Sequence, residues 1–382
     1  MKNKVLVGIF LAIAVVLIGQ FACQGTGPQS GQQGRYLIGV SAPLTGDGAN
    51  YGRSTKEGID LAVEELNAAK YLDKPIEVVY EDDKINPTDG VNAVNKLINS
   101  DKVPVILGPF GSSVTLAVAP IANKAKVVLV GASATADGIA DAGDYVFRIT
   151  PPNSRQGADV ANFCSTKLNA KKAAVIYQNN DYGTTLKAAF EKQFSENGGT
   201  IVSSEGVDLG IKDLKTQILK MKGGNPDVVF FPLHVAEAGL LLRQSKELGL
   251  NAKFISCDGA MVQDLLDIAG NAAEGSFYTT LALGYGVSDQ DISRFNDAFN
   301  KKYGKEPDVY AAYYYEAAKI VAKAIKDGGY DSEKIKESLY AMTGDKAYTG
   351  VTGKTSFDKN GEVSKSFYVY QVVGGKYTLY KQ

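Results

Sequence analysis

The sequence predicts an α/β fold of two similar lobes, each built on a parallel sheet with helices on both faces. Three observations carry this. From Tyr36 onward, strand-like runs alternate with helix-like amphipathic runs. The strand-like runs are continuously rich in Val, Ile and Leu, as in sheets buried on both faces. The alternation also occurs twice, broken at "RITPPNSRQG" (Arg148 to Gly157), where Pro151 and Pro152 interrupt it. A chain of 382 residues is long enough for two such lobes.

In order, "YLIGVS" reads as a strand, and "GRSTKEGIDLAVEELNAA" as a helix with Ile59, Ala62, Val63 and Leu66 on one face. "IEVVYED" is a strand, and a helix follows Asp89. "VPVIL" is a short buried strand. "SSVTLAVAPIANKA" is helical, and Pro120 is expected to kink or shorten it. "KVVLVG" is the fourth strand. After the proline pair come a helix from Gln156, strand "AAVIYQ", helix "YGTTLKAAFEKQFSEN", strand "TIVSSEGV" and helix "DLKTQILKMK". Strand "DVVFFPL", helix "EAGLLLRQSKELGL" and strand "KFIS" complete the second run. Beyond "GSFYTTLAL", helices are expected from Asp291, Pro307 and Ser332. "KTSFDKNGEV" then reads as a turn, and the tail as a hairpin around Gly374-Gly375.

The N-terminus reads as a targeting segment. Lys2 and Lys4 precede the uncharged run "VLVGIFLAIAVVLI", a basic region followed by an apolar core of signal-peptide length. Residues 1–22 are assigned to it. The run closes on Cys23, as at a lipoprotein cleavage site, where the thiol would be lipidated. Gln20 and Phe21 depart from that pattern. Soluble export and an uncleaved anchor therefore stand as alternatives. Residues 23–35 are Gly/Gln/Ser-rich and read as a flexible tether.

Composition narrows the function. Apolar residues make up 45% and charged residues 22%, typical of a folded globular chain. The net charge of -1 gives no basic field for nucleic acid. A single histidine, His234, excludes a His-rich metal site and makes any Ser-His-Asp triad depend on that one residue. No G-x-S-x-G elbow and no G-x-x-x-x-G-K-[ST] loop occurs. "GPFGSSVT" (Gly108 to Thr115) lacks a phosphate-binding lysine. Glu81, Asp82 and Asp83 read as a capping or solvated cluster rather than catalytic acids. No enzyme activity, cofactor or metal is expected. Cys164 and Cys257 read as buried free thiols in preference to a disulfide.

The segments "IGVSAPLTGDGANYG", "GPFGSSVTLAVAPIA", "GASATA", "RITPPNSRQG", "NDYG" and "PDVYAAYYYEAAKIVAKAI" follow one another in an order that resembles the periplasmic leucine/isoleucine/valine-binding proteins of bacterial ABC importers. The likeness spans Tyr36 to Gln382. It implies the type I periplasmic binding protein fold: two Rossmann-like lobes joined by three crossovers, near Thr150-Pro151, Tyr278 to Leu283 and Ser356 to Lys359. Lobe 1 would comprise residues 36–150 and 281–357, and lobe 2 residues 151–280 and 358–382. The implied function is capture of a small α-amino acid between the lobes and delivery to ABC permease subunits in the membrane, by a monomer outside the cytoplasm. Another small carboxylate or amide ligand, or a sensory role, is the alternative.

The resemblance also assigns a site. Ser112, at a helix start with free N–H groups, would hold the ligand carboxylate; on its own it would read equally as a simple N-cap. Ser133 would offer its carbonyl to the ammonium, and Thr135 its hydroxyl and N–H. Asp258, in "SCDGA", stands where the family has an acid for the α-ammonium. It is a methylene shorter than the family's glutamate. Tyr51, Phe110, Gly111, Ala134, Tyr182 and Tyr310 would line the side-chain pocket. His234 ends "DVVFFPLH" where the family pattern has a tyrosine facing ligand, which questions a strictly aliphatic preference; a strand-end histidine bonded to backbone is the other reading. Gly111 replaces a bulkier residue and is expected to leave extra room.

Overall fold

Strand β1 (Tyr36–Ala42) is buried along its whole length but for Tyr36, which is why its apolar run shows no alternation. The computed structural model describes residues 34–281 and 290–381. β1 pairs in parallel with β2 (Ile76–Asp82) on one side and β3 (Val105–Leu107) on the other. β4 (Val128–Gly131) and β5 (Val146–Arg148) extend the sheet in the order β2-β1-β3-β4-β5. β5 was not anticipated: at three residues it carries too little pattern to stand out from its loop.

Helices α1 (Ala49–Ala68), α2 (Pro87–Asn99) and α3 (Ser112–Ala125) connect these strands. α2 begins before Asp89 because the Asn86 side chain accepts from the N–H groups of Thr88 and Asp89, and Pro87 suits the first helical position. α3 runs through Pro120 without being shortened. Pro120 is exposed, so water can satisfy the carbonyl its ring leaves free.

The second lobe repeats the plan. α4 (Asn153–Thr166) starts directly after Pro152 rather than at Gln156. β6 (Lys172–Gln178), α5 (Asp181–Glu196), β7 (Thr200–Val207), α6 (Lys215–Gly223), β8 (Val228–Phe230), α7 (Val235–Glu247), β9 (Lys253–Cys257), α8 (Gln263–Ala269) and β10 (Phe277–Thr280) follow. Their sheet order is β7-β6-β8-β9-β10, the order of the first sheet again. In each sheet the order reverses beside its first strand, at β1/β3 and at β6/β8. The carboxyl ends at those two points are where doubly wound sheets form a crevice.

α9 (Gln290–Tyr303), α10 (Val309–Gly328) and α11 (Ser332–Tyr340) then return to the first lobe. α10 lies backbone-to-backbone on α1: a Cβ on Gly58 would fall 2.2 Å from the carbonyl oxygen of Ala311, so only glycine permits the approach. A two-stranded ribbon, β11 (Tyr348–Gly350) with β12 (Gly353–Thr355), was not anticipated either. β13 (Tyr368–Val373) and β14 (Lys376–Leu379) close the chain as an antiparallel hairpin on the edge of β10.

Two buried ion pairs hold the segments that pass between the sheets. Arg148, the last residue of β5, contacts Glu362 at 2.6 Å and donates to the Ala136 carbonyl at 2.8 Å. Lys365 contacts Glu316 of α10 at 2.9 Å, with both side chains almost fully buried. Cys164 and Cys257 are buried free thiols with no disulfide. No helix among the described residues is long and apolar enough to cross a membrane. The leader, Cys23 and the tether up to residue 33, and residues 282–283 of the second crossover, lie outside the described residues.

Candidate functional site

A cavity of about 470 Å³ lies between the carboxyl ends of the two sheets. That is within the usual range for a small-molecule site. The loop after β3 and the start of α3 supply Phe110, Gly111, Ser112 and Ser113, and the loop after β4 supplies Ser133. From the second lobe come Gln178 to Tyr182 at the β6–α5 junction, His234 after β8 and Gly259 after β9. Tyr310, in the first turn of α10, completes the wall.

Ser112 does not cap its helix. Gly111 is the N-cap, in extended conformation, and Ser112 occupies the first helical position. The Ser112 oxygen accepts from the N–H groups of Thr135 (3.1 Å) and Ala136 (3.2 Å). Its own O–H proton is thereby left for another acceptor, beside first-turn N–H groups that the helix ladder cannot use. Ser133 donates to the Phe110 carbonyl at 2.9 Å and lies 3.0 Å from the Tyr314 hydroxyl. Since Ser133 has given its proton to a carbonyl, Tyr314 is the donor in that second bond.

Of the two Thr135 groups expected at the ligand, only the hydroxyl is left uncommitted. The N–H is committed to Ser112, and the buried hydroxyl has no partner among the described residues. Ala134 turns into the first-lobe core with Ile106, Val118 and Leu129 rather than bordering the cavity. Gly111 borders it but opens no extra room, because Ile85 from the loop after β2 occupies the space beside it.

Aromatic rings form the other walls. Tyr51 stacks on Phe110 (centroids 4.5 Å apart), and Tyr310 meets Phe110 edge-on at 4.7 Å. Tyr51 lies behind Phe110, and its hydroxyl spans the lobes: it donates to the Gly259 carbonyl (2.7 Å) and accepts from the Val235 N–H (2.8 Å). A second bridge was not foreseen. Ser113 donates to the Asp181 carboxylate at 2.6 Å and accepts from the Asp181 N–H at 3.1 Å. These two bridges join the lobes across the cleft, and Arg53 of α1 reaches the Asp264 carboxylate of α8 at 3.5 Å.

Tyr182 stacks on His234 with centroids 5.6 Å apart, and its hydroxyl accepts from the Gly259 N–H. The His234 ring bonds a side chain, not backbone. Its Nε2 lies 3.2 Å from the Asn180 amide nitrogen, while the Asn180 oxygen is held by the Gly183 N–H. Nε2 is thus the acceptor and Nδ1 carries the proton. Burial pushes the imidazole pKa down to about 4, so the ring is neutral.

Asp258 is buried immediately behind Gly259. Burial pushes its carboxyl up to about 6, against the pull of the Gln156 amide and the N–H groups of Asp258 and Gly259. The Gln156 Nε2 donates to it at 3.1 Å. No cationic side chain pairs with it among the described residues. Burial, then the charge of Asp258, raises the phenol pKa of Tyr310 and of Tyr182, so the carboxylate acts within the aromatic walls.

Among the described residues no group of three or more His, Cys, Asp or Glu is placed to hold a metal ion. Gln156, Ser113, Asp181 and Ile85 escaped the sequence reading. They act through partners far along the chain, and no local spacing announces them.

Comparison with known proteins agrees with this architecture. The family model described as periplasmic binding protein matches residues 36–376. The Leu/Ile/Val-binding protein homolog 2 of Brucella abortus is 31% identical over 342 residues, covering 87% of this chain and 89% of that one. The leucine-, isoleucine-, valine-, threonine- and alanine-binding protein of Pseudomonas aeruginosa is 31% identical over 338 residues, with 87% and 89% covered. The crystal structure of the Streptococcus pneumoniae branched-chain amino acid transporter substrate-binding protein LivJ with isoleucine superposes with a TM-score of 0.84 at 32% identity. That match covers 91% of this chain and all (100%) of that one. With two doubly wound lobes facing one cleft, this chain belongs to the type I periplasmic binding protein family, whose members are solute-binding proteins.

Proposed function

We propose that the chain captures a small α-amino acid in the interlobe cleft, neutral aliphatic side chains being preferred, and delivers it to the permease of an ABC importer. The observation that carries this is Asp258: a buried carboxylate with no cationic partner among the described residues, set among tyrosines behind the Gly259 wall of the cavity. An isolated buried charge is costly unless paired, and an α-ammonium is the partner that fits. The ligand carboxylate then falls to the Ser112 O–H and the α3 N-terminus, which bind an anion without needing arginine or lysine. Ammonium on one lobe and carboxylate on the other reward closure, which the bridges of Tyr51 and Ser113 complete. The lobes are residues 36–150 with 281–357, and 151–280 with 358–382.

A thermal-shift panel of leucine, isoleucine, valine, threonine and alanine tests the reading. A ligand at a hundred times its Kd should stabilise the protein by about 2.7 kcal/mol. If no α-amino acid raises the melting temperature, the reading fails. The amide-rich wall of Gln178, Asn179 and Asn180, with neutral His234, favours the second reading of another small carboxylate or amide. Such compounds complete the panel.

We place the protein outside the cytoplasm as a monomer tethered through acylated Cys23. Intact-mass analysis of membrane-extracted protein should find an N-terminal, acylated Cys23. An unmodified mature chain starting elsewhere would refute the anchor.

A further inference from the structure

We propose that Ile85 is a specificity-determining residue of the cleft, closing its first-lobe end and setting the length of ligand side chain that fits. This rests on the amino-acid reading above. The stretch "EDDKINP", from the end of β2 to the start of α2, attracted no role from its sequence beyond capping or a solvated cluster. In the fold, Lys84 and Ile85 both adopt left-handed backbone, with φ of 49° and 56°. For a β-branched residue that conformation is rare and costs energy.

The surrounding bonds impose it. Asp83 is fully buried, and one carboxylate oxygen accepts from the Ile85 N–H at 2.9 Å while the other accepts from the Ser41 hydroxyl at 2.9 Å. The Asp83 N–H bonds the Ala42 carbonyl, its carbonyl accepts from Asn86, and Asn86 caps α2. The turn is pinned on both sides. Backbone strain held in this way collects where a side chain must be aimed.

What Ile85 is aimed at is Gly111. A Cβ on Gly111 would lie 3.0 Å from the Ile85 Cγ1. The Gly111 backbone, φ -86° and ψ 142°, is open to any residue, so conformation does not demand glycine there. Space does. Ile85 and Gly111 both border the cavity, and the wall that a side chain on residue 111 would make is supplied instead from the loop after β2.

Calorimetry of the full chain with alanine, valine, leucine and phenylalanine tests this. Ile85→Ala should improve binding of the longest ligands relative to valine, by about fourfold for each methylene admitted. Ile85→Gly, which also relieves the left-handed strain, should shift the ranking in the same direction. Gly111→Ala should disfavour the longer ligands by crowding Ile85, and Ile85→Ala in that background should restore them, so the two effects do not add. If wild type binds amino acids but the length ranking is the same in Ile85→Ala and Ile85→Gly, the role of Ile85 is wrong and the amino-acid reading stands. If wild type binds none of them, both fall.

Discussion

Asp258→Ala is expected to weaken leucine binding by at least about 30-fold, corresponding to the lower end of the roughly 2–5 kcal/mol lost when one partner of a buried charge pair is removed. The cause is local. Asp258 is 3% exposed and held by the Gln156 amide at 3.1 Å, and no cationic side chain among the described residues pairs with it. The same residue sets a pH dependence. Its pKa in the free protein is raised to about 6, above the ordinary 3.8, so its contribution to stability is fully present below the ordinary value and lost as pH rises through about 6. Ligand binding has the opposite requirement, because the ammonium needs the ionised carboxylate. Affinity should be flat above about pH 6 and fall about tenfold per unit below it, with proton release on binding. Asp83, also raised to about 6 by burial, titrates in the same window. Calorimetry on Asp258→Asn separates them: an inflection that survives in that variant belongs to Asp83, and removes Asp258 from the ammonium site.

The fold was legible because its strands are continuously apolar and its helices carry their own period. β1, β4 and β6 announce themselves, as does the second copy of the alternation. What was missed is short or decided from a distance. β5, β11 and β12 have three residues each, and their pairing comes from neighbours remote in sequence. Helix starts moved to where Asn86 and Asp308 cap, since side-chain caps outrank the first apolar residue as the start signal. In the site, motif order placed Phe110, Ser112, Ser133, Tyr182, His234 and Tyr310 around one cavity. Thr135 shows the limit: its N–H is spent on Ser112, a bond across 23 residues that no spacing predicts. Gly111 shows another, because an absent side chain in the sequence was filled by Ile85 from a different loop.

Glu316→Ala should cost about 3–5 kcal/mol of folding stability, because it strands a buried ammonium. Lys365 is 6% exposed, and burial lowers its pKa although Glu316 opposes this. Glu316 also accepts from the Thr352 N–H at 2.7 Å and the Thr355 hydroxyl at 2.9 Å, fastening the β11–β12 ribbon and the segment leading to β13 onto α10. The pair therefore joins the helix that carries Tyr310 to the chain passing between the lobes. Glu316 lies six residues beyond Tyr310, about 9 Å along the helix axis, so it fixes that helix without touching ligand. Lys365→Met should cost less. It leaves a carboxylate still served by Thr352 and Thr355, and the methionine stem keeps much of the lysine's packing. The double variant Glu316→Met/Lys365→Met should be more stable than Glu316→Ala, since paired removal leaves no buried charge unmatched. Urea denaturation of the set reads all three. Equal destabilisation by the two single variants would show that the network's worth lies in packing rather than in the buried charge.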